Sequence, residues 1–369
     1  MPHLLAAPDK FRGTASAAEV AAGAARGARA AGWSAFELPL ADGGEGTLDV
    51  LSRALGGERR RTTVRGPLGG PVDADWLLVP GGLPRRLLEG PAGDLVEREA
   101  GPIAVIESAR AAGRELLAAP TGDEPVRAGT EGVGDLISVA VEEGARCVLI
   151  GAGGTATTDG GWGALSAIGT KACLRGARLV VACDVSTRFR SAAGTFAPQK
   201  GATPSQVRAL RTRLDGLAVR YRLSYGVDVD RLVGAGAGGG LAGGLAALGA
   251  RLVGGFALIA ALLDLDRRAR AADLLLTGEG RVDTTSFDGK VVGGVLEAAG
   301  GMPPALCVAG EIEVGIERFW AWRPGPVDAV SLASLLGAAR ARRCPADAVC
   351  DVVEAVCRRQ RNEAGRRSR

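Results

Sequence analysis

Short apolar runs that end in glycine-rich turns recur along the chain, and most of them stand next to a segment with helical character. The runs are HLLAAP (3–8), RCVLIGAGG (146–154), ADLLLTGEG (272–280) and PALCVAG (304–310). A run of this length bounded by glycine is typical of a strand that is buried on both faces of a parallel sheet. The alternation of such strands with helices predicts an α/β fold, in which ligands bind at the carboxyl ends of the strands.

The segments between these runs carry helix signals of their own. The alanine-rich segment 16–32 begins with Ser16, followed three residues later by Glu19, and ends at Gly32. This is the capping-box pattern of a helix N-terminus. The segments GVGDLISVAVEEG and VVGGVLEAAGG predict two further helices, each next to a predicted strand.

Two regions break this rhythm and predict a second domain. Residues 58–120 contain segments punctuated by proline and glycine, such as TTVRGPLGGPVDADWLLVPGG, which favour a mixed or antiparallel sheet. Residues 170–265 combine a short strand, RLVVACDV, with an arginine-rich helix. We therefore expect two α/β domains, one with a parallel sheet and one with a mixed sheet inserted into it. The expected boundaries are 1–57, 129–168 and 268–369 for the first domain, and 58–128 and 169–267 for the inserted domain.

Composition excludes several classes of protein. The 369 residues are 47% hydrophobic, enough for two cores, but they contain no uncharged apolar stretch of membrane-spanning length. We therefore expect a cytoplasmic protein without a signal peptide or membrane contact. The seven cysteines form no CxxC pair and His3 is the single histidine, so a zinc site is not expected. The net charge of +4 and the 4% of aromatic residues do not favour a nucleic-acid partner, and we read the arginine-rich tail as a solvated end.

Glycine, acidic, basic and hydroxyl residues concentrate in five loops, at 7–17, 39–47, 151–163, 196–202 and 277–290. Of the 45 basic residues only four are lysine, and three of these, Lys10, Lys200 and Lys290, lie in such loops. Phosphoryl transfer uses this combination: backbone amides and cations bind phosphate oxygens, and carboxylates bind magnesium or orient the attacking hydroxyl. The chain has no GxxxxGK[ST] sequence and no HRD or DFG set, so it is neither a P-loop NTPase nor a protein kinase.

The same loops carry a family resemblance. PLADGGEGT, GGTATTDGG, ACDV, PQKGA, GAGAGGGL, ADLLLTGEGRVD and DGK resemble, in this order and over nearly the whole chain, the motifs of the bacterial-type (type I) glycerate kinase family. The opening APDKFRGTASAAEVA looks like the start of that family. The resemblance implies that one of the two α/β domains is flavodoxin-like, that the cofactors are ATP and Mg²⁺, and that D-glycerate is phosphorylated to 2-phosphoglycerate.

The chain departs from the family pattern at a few positions. Thr158 stands where the family usually has Asn, DVSTRF stands for DVTNPL, and FAPQKGA stands for FGPQKGA. The segment between Ile168 and Cys183 is also shorter than in the family, which reduces the inserted domain. Arg188 in DVSTRF and the shortening leave open a kinase for another small hydroxy acid or a polyol.

Chemical roles follow for the residues of these loops. Lys10 and Arg12 are candidates to bind the substrate carboxylate, while Asp42 and Glu45 suit magnesium or substrate hydroxyls. Asp184 or Asp283 would accept the hydroxyl proton, and the sequence does not choose between them; Asp184 is also a candidate metal ligand. Residues expected to bind the nucleotide are Gly153, Gly154, Thr155, Lys200, Gly278, Glu279 and Gly280, with Lys290 as a catalytic cation.

Each of these loops also has a plainer interpretation. A glycine-rich turn can be only a turn, and Asp42 or Asp159 could cap a following helix. Gly234, Gly236 and Gly239 match GxGxxG, the pattern of a dinucleotide-dependent oxidoreductase, but tight helix packing would explain the same glycines. A catalytically inactive binding protein is a third alternative. We expect a small-molecule substrate and a monomer or homodimer.

Overall fold

The computed structural model describes the backbone of residues 1–117, 122–298, 300–323 and 325–367, with side chains up to residue 363. The strands, in chain order, are β1 (His3–Ala6), β2 (Ser34–Glu37), β3 (Glu58–Arg65), β4 (Pro71–Val79), β5 (Ile103–Glu107), β6 (Cys147–Gly151), β7 (Arg178–Cys183), β8 (Arg251–Gly254), β9 (Leu274–Thr277), β10 (Arg281–Val282), β11 (Ala305–Ala309), β12 (Glu311–Ile312) and β13 (Val327–Ser331).

Helices connect most of these strands. They are α1 (Ala17–Ala30), α2 (Thr47–Leu55), α3 (Arg85–Leu88), α4 (Pro91–Leu95), α5 (Ala109–Ala112), α6 (Glu124–Arg127), α7 (Glu131–Glu142), α8 (Trp162–Ile168), α9 (Ala192–Phe196), α10 (Pro204–Tyr225), α11 (Leu241–Ala247), α12 (Gly255–Leu262), α13 (Leu265–Arg270), α14 (Val291–Ala298), α15 (Ile316–Trp322), α16 (Leu332–Leu336), α17 (Ala338–Arg343) and α18 (Pro345–Arg367). Short 3-10 helices occupy Arg114–Leu116, Lys171–Leu174, Pro198–Lys200, Val229–Arg231, Ala237–Gly240 and Thr284–Phe287.

The chain folds into two units, one inserted into the other. Unit 1 comprises Met1–Ala41 and Ile259–Arg369, and unit 2 comprises Asp42–Leu258. The two α/β domains and the insertion predicted from the sequence are thus present, but the boundaries differ from those expected. The segment 129–168 lies in unit 2, because β6 hydrogen-bonds to β5 on one side and to β7 on the other.

Unit 1 contains a five-stranded parallel sheet with the order β13-β11-β9-β1-β2. With only the five strands of this sheet numbered in chain order, the order is 2-1-3-4-5, which is the flavodoxin-like arrangement. One face of the sheet packs against α1 and α18 in a core that contains Leu4, Leu276 and Val308. The predicted capping box at the start of α1 is present, because Ser16 Oγ accepts a hydrogen bond from Glu19 N and the Glu19 carboxylate accepts one from Ser16 N.

Unit 2 contains a six-stranded mixed sheet with the order β3-β4-β5-β6-β7-β8. Pairing is antiparallel from β3 to β5 and parallel from β5 to β8. Its main core joins one face of the sheet, including Ile106 and Ile150, to α7, α8, α10 and α11. The parallel half of the sheet places the ends of β5, β6, β7 and β8 along one edge.

The arginine-rich tail belongs to helix α18 as far as residue 367. Arg359 forms an ion pair with Asp328, and Arg361 donates to the Ala31 carbonyl. Most described residues after the buried Cys357 are exposed, in agreement with a solvated end, and they continue the helix that docks on α1. Within the described part of the chain, no helix has the length and apolarity needed to cross a membrane.

Candidate active-site loops

The first group of predicted residues lies in unit 1, where the strand order reverses between β1 and β9. The loop after β1 carries Lys10 and Arg12, and the loop after β9 carries Gly278, Glu279 and Gly280. The two loops are hydrogen-bonded, since Asp9 N donates to the Gly278 carbonyl at 2.8 Å. A Cβ atom on Gly280 would lie 3.1 Å from Arg12 N, so glycine permits this close approach. Such a crevice is where ligands bind in open α/β sheets.

Asp283 caps the 3-10 helix Thr284–Phe287 in unit 1. Its Oδ1 atom accepts hydrogen bonds from the backbone N–H and the hydroxyl of Thr285, each at 2.7 Å, and its own N–H donates to Ser286 Oγ. The bonds from Thr285 hold the pKa of the Asp283 carboxyl below its usual range. A carboxylate stabilised in this way is a weaker proton acceptor.

Lys290 reaches the same hydroxyl. Its Nζ atom lies 3.4 Å from Thr285 Oγ1, and its positive charge also contributes to lowering the pKa of Asp283. Asp283, Thr285 and Lys290 therefore form one short polar chain after β9. The structure brings the two predicted catalytic groups together through a hydroxyl that the sequence did not single out.

The second group lies in unit 2, at the ends of β6 and β7. The loop with Asp42 and Glu45 covers both strands: a Cβ atom on Gly43 would lie 2.9 Å from the Ala182 Cβ, and one on Gly153 would lie 2.9 Å from Gly44 Cα. Asp42 Oδ1 accepts a hydrogen bond from Gly44 N, which fixes the turn. Asp184 directly follows β7 and is partly buried. The structure therefore places the Asp42 loop against the start of the loop that carries Gly153, Gly154 and Thr155.

Lys200 joins this group from the 3-10 helix Pro198–Lys200. Its Nζ atom donates to the Thr157 carbonyl at 2.6 Å and to Thr155 Oγ1 at 3.3 Å. Burial lowers the pKa of the Lys200 side chain to about 7; attraction by Asp159 opposes the shift, and repulsion by Arg114 adds to it. Lys200 is thus a cation that can lose its proton near neutral pH.

Asp159 is a buried structural carboxylate. Its oxygens accept hydrogen bonds from Gly161 N and Gly163 N at the start of α8, and from both the N–H and the hydroxyl of Thr130. These bonds link α7 to α8. The capping interpretation of Asp159 is therefore correct, and its negative charge in addition favours the protonated form of Lys200.

The GxGxxG pattern has a packing explanation in the structure. The 3-10 helix Val229–Arg231, and not a strand, precedes Gly234. A Cβ atom on Gly239 would lie 1.9 Å from the Thr157 carbonyl oxygen, and one on Gly243 would lie 2.3 Å from the Phe189 ring. These glycines let the 3-10 helix Ala237–Gly240 and α11 approach their neighbours, which accounts for the pattern without a dinucleotide.

In each unit, several of the sequence motifs thus lie in loops at the carboxyl ends of parallel strands. A family model described as the glycerate kinase family matches residues 4–174 and 170–332, which is most of the chain. The chain belongs to the glycerate kinase family. The resemblance found in the loop motifs is confirmed, and so is the enzyme class, a kinase that uses ATP.

Individual relatives agree with the family model. The glycerate 2-kinase of Escherichia coli K12 is 34% identical over 350 residues, covering 85% of this chain and 87% of that protein. The glycerate kinase of Bacillus subtilis 168 is 33% identical over 367 residues, covering 88% of this chain and 91% of that protein. A crystal structure named as a glycerate kinase 2 from Salmonella typhimurium LT2 matches with a TM-score of 0.77 and 30% identity over 99% of each chain.

The candidate carboxylates could supply only some of the oxygen ligands that a magnesium ion needs. Among the described residues, no group of three or more His, Cys, Asp or Glu side chains is arranged to hold a metal ion. Mg²⁺ retains several waters and binds through one or two carboxylates together with phosphate oxygens, so it does not need such a group. Asp42, in the loop that contacts Ala182 of β7, and Asp184, directly after β7, could supply one or two such carboxylates.

Sequence reasoning missed two features of unit 2. Glu107 ends β5 and is buried, and it accepts hydrogen bonds from Leu48 N at the start of α2 and from Arg110. Burial raises the pKa of the Glu107 carboxyl, against the effect of those bonds. Arg114 is bound through its backbone to the loop that holds Lys200, although it is far from Lys200 in the sequence. An acidic residue directly after the apolar run IAVI was the available signal for Glu107, whereas nothing local marks Arg114.

Proposed function

We propose that this protein transfers the γ-phosphoryl group of ATP to D-glycerate and forms 2-phosphoglycerate. The observation that carries the proposal is the presence, in a glycerate kinase family member, of lysine, carboxylate and glycine loops at the carboxyl ends of the parallel strands in each unit. The glycerate 2-kinase name of the E. coli relative supports the choice of substrate and product.

The substrate carboxylate is assigned to Lys10 and Arg12. Both follow β1 at the point where the strand order reverses, and Arg12 is exposed and able to bind a carboxylate through two parallel hydrogen bonds. Lys290 is assigned to the transferring phosphoryl group as a point charge, since its ammonium group lies at the end of the Asp283–Thr285 chain.

The phosphates are assigned to the glycine loops. Backbone amides of Gly153 and Gly154 with Lys200 and the Thr155 hydroxyl would bind phosphate oxygens in unit 2, and Gly278, Glu279 and Gly280 form the corresponding loop in unit 1. When bound, Mg²⁺ would neutralise phosphate charge, and Asp42 and Glu45 are the residues that would hold it, which leaves the Asp184 carboxylate to act as the base.

Of the two candidate bases, we assign proton acceptance to Asp184. The hydrogen bonds from Thr285 stabilise the charged form of Asp283 and weaken it as a base, so we assign Asp283 to positioning Lys290. In the proposed step the substrate hydroxyl oxygen attacks the γ-phosphorus and its proton passes to the Asp184 carboxylate. The bond between the γ-phosphorus and the bridging oxygen breaks, and ADP leaves with that electron pair.

Product analysis tests this function. Purified protein is incubated with ATP, Mg²⁺ and D-glycerate; coupled ADP release measures turnover, and phosphorus NMR identifies the product. We expect ADP release that depends on D-glycerate, a signal for 2-phosphoglycerate, and loss of turnover in EDTA that added Mg²⁺ restores. Formation of 3-phosphoglycerate would overturn the regiochemistry, and full turnover in EDTA would remove the metal role.

One observation favours a second candidate, a kinase for another small hydroxy acid or polyol. Arg188 in the departing DVSTRF segment donates to the Asp230 carbonyl, and Arg190 directly after that segment pairs with Asp215 and Asp230. These contacts fix the loop that follows Asp184. A substrate panel in the same ADP assay decides between the two. A kcat/KM for another acid or polyol at least tenfold above that for D-glycerate would replace glycerate as the substrate.

A further inference from the structure

Arg114 lies against the loop that follows β6 and carries Gly153, Gly154 and Thr155. Its backbone N–H donates to the Gly154 carbonyl at 3.1 Å, and Ala156 N donates to the Ala112 carbonyl at 2.8 Å. An antiparallel bridge between Gly113 and Thr155 lies between these two bonds. The segment 112–114 is therefore attached to the loop by its backbone, which leaves the Arg114 side chain available for another purpose.

The surroundings of the Arg114 side chain differ from those of the neighbouring Arg110. In the part of the chain that the structure describes, its side chain makes no hydrogen bond or ion pair, and it is exposed. The neighbouring Arg110, by contrast, pairs with the buried Glu107 at 3.2 Å. Exposure means that replacement of the Arg114 side chain leaves the core and the backbone bonds of this segment intact.

Two basic residues are attached to this loop. Arg114 is bound to it through its backbone, and the Lys200 ammonium group donates a hydrogen bond to Thr155 Oγ1. The positive charge of Arg114 also contributes to lowering the pKa of Lys200. Like charges held side by side are unfavourable, and an anion bound to both removes the repulsion and gains charge-assisted hydrogen bonds. A guanidinium beside an ammonium group suits a phosphate, which can accept from both at different oxygens.

We propose that Arg114 is a nucleotide-binding residue that, with Lys200 and Thr155, binds one phosphate group of ATP or ADP. The inference rests on the proposed function for the role of the β6 loop and adds to it a residue that no loop motif contains. The alternative occupant of the same cation pair is the carboxylate of the hydroxy acid.

Binding without turnover tests the proposal. ADP affinity is measured by titration calorimetry for the full chain and for Arg114→Ala, Arg114→Lys and the control Arg208→Ala, an exposed arginine on α10 of the same unit. We expect Arg114→Ala to raise the Kd for ADP about tenfold or more, Arg114→Lys to restore part of the affinity, and Arg208→Ala to change it by less than about twofold. The KM for the acid substrate should stay within about twofold of the wild-type value.

A structural readout separates this role from a general weakening of the loop. The chain has only four lysines, so labelling their ε-carbons gives four NMR signals, and Lys200→Arg identifies the one from Lys200. Arg114→Ala should move the Lys200 titration to higher pH, and saturating ADP should do the same in the wild type.

The outcomes are distinct. Unchanged ADP affinity in Arg114→Ala, or a rise confined to the KM of the acid, overturns the inference even if D-glycerate is phosphorylated. Weakened ADP binding in a protein that does not phosphorylate D-glycerate overturns the proposed substrate and leaves the role of Arg114 standing.

Discussion

At the scale of single residues, the hydroxyl of Thr285 connects two charged groups, the carboxylate of Asp283 and the ammonium group of Lys290. Asp283 accepts from this hydroxyl and Lys290 lies 3.4 Å from it. A carboxylate that caps a helix and the lysine that we propose acts on the transferred phosphoryl group therefore share one hydrogen-bonded chain. The capping and catalytic interpretations of Asp283 are both compatible with this geometry, and they differ in what mutation should do.

Lys290→Ala should lower kcat about a hundredfold or more, the scale seen when one preorganised charge-stabilising group is removed. Lys290→Arg should rescue only part of the loss, because a planar guanidinium cannot occupy the position of a compact ammonium group. The measurement is kcat together with the thermal midpoint of each variant. Unchanged turnover in Lys290→Ala would exclude this loop as the phosphoryl site.

Asp283→Asn separates charge from capping. Asparagine caps helices about as well as aspartate, so the thermal midpoint should stay close to that of the wild type, whereas Asp283→Ala should lose about 1 kcal/mol of unfolding free energy. If the negative charge positions Lys290, both variants should lower kcat. A purely structural Asp283 predicts the reverse: full turnover per folded molecule in Asp283→Asn and reduced stability only in Asp283→Ala.

Lys200 should make nucleotide affinity depend on pH. Burial lowers its pKa to about 7, far below the value of about 10.4 for an exposed lysine. As pH rises above about 7, bound phosphate loses its cationic partner, so the Kd for ADP should increase, by up to about tenfold per pH unit. Lys200→Arg should flatten this profile, because guanidinium keeps its charge. An equally steep profile in Lys200→Arg would contradict the role of Lys200.

The same pKa sets the sign of its stability effect. Between about pH 7 and about pH 10 the unfolded chain holds a proton on Lys200 that the folded chain has released, so the contribution of Lys200 to the free energy of unfolding rises with pH across that window. Denaturant titrations of the wild type and Lys200→Arg over this range measure it. A contribution that falls with pH would mean that Lys200 has a raised pKa in the folded state.

At the scale of elements, glycine decides how closely the Asp42 loop approaches β7. Gly43 and Gly46 in this loop both have φ of +93°. A Cβ atom on Gly43 would lie 2.9 Å from the Ala182 Cβ, whereas one on Gly46 meets no atom within 4 Å. The pair therefore separates backbone strain, which both positions share, from the contact with β7.

Gly46→Ala should lower the free energy of unfolding by about 1 kcal/mol, because alanine disfavours a positive φ, and it should reduce activity only modestly. Gly43→Ala should cost more and should also lower kcat/KM, because the clash displaces Asp42 from the end of β7. Thermal midpoints and kinetics of both variants check this. Equal effects of the two substitutions would show that the close approach of the loop does not matter for the site.

At the scale of the whole molecule, the balance of charges argues against a nucleic-acid partner. The chain has 45 basic and 41 acidic residues. Many arginines on the surface form an ion pair with a nearby carboxylate, as Arg65 does with Asp135. Phosphate-backbone binding depends on clustered unpaired cations.

Fluorescence anisotropy with a labelled duplex DNA at about 150 mM salt should therefore give a Kd weaker than about 0.1 mM, the weak end of non-specific binding. The same titration at low salt serves as a control for residual electrostatic attraction. Micromolar affinity at the higher salt concentration would contradict the expectation.

The sequence by itself determined the elements and the family. Apolar runs, the Ser16 capping box and the order of the loop motifs are local signals that can be recognised in the sequence alone. They led to the correct fold class and to the glycerate kinase family. Tertiary structure alone decided which sheet strand β6 joins, because strand pairing depends on hydrogen bonds to distant segments. It also decided the lowered pKa of Lys200 and the position of Arg114. Burial, desolvation and the meeting of like charges arise only when remote parts of the chain pack together, so no local pattern can encode them.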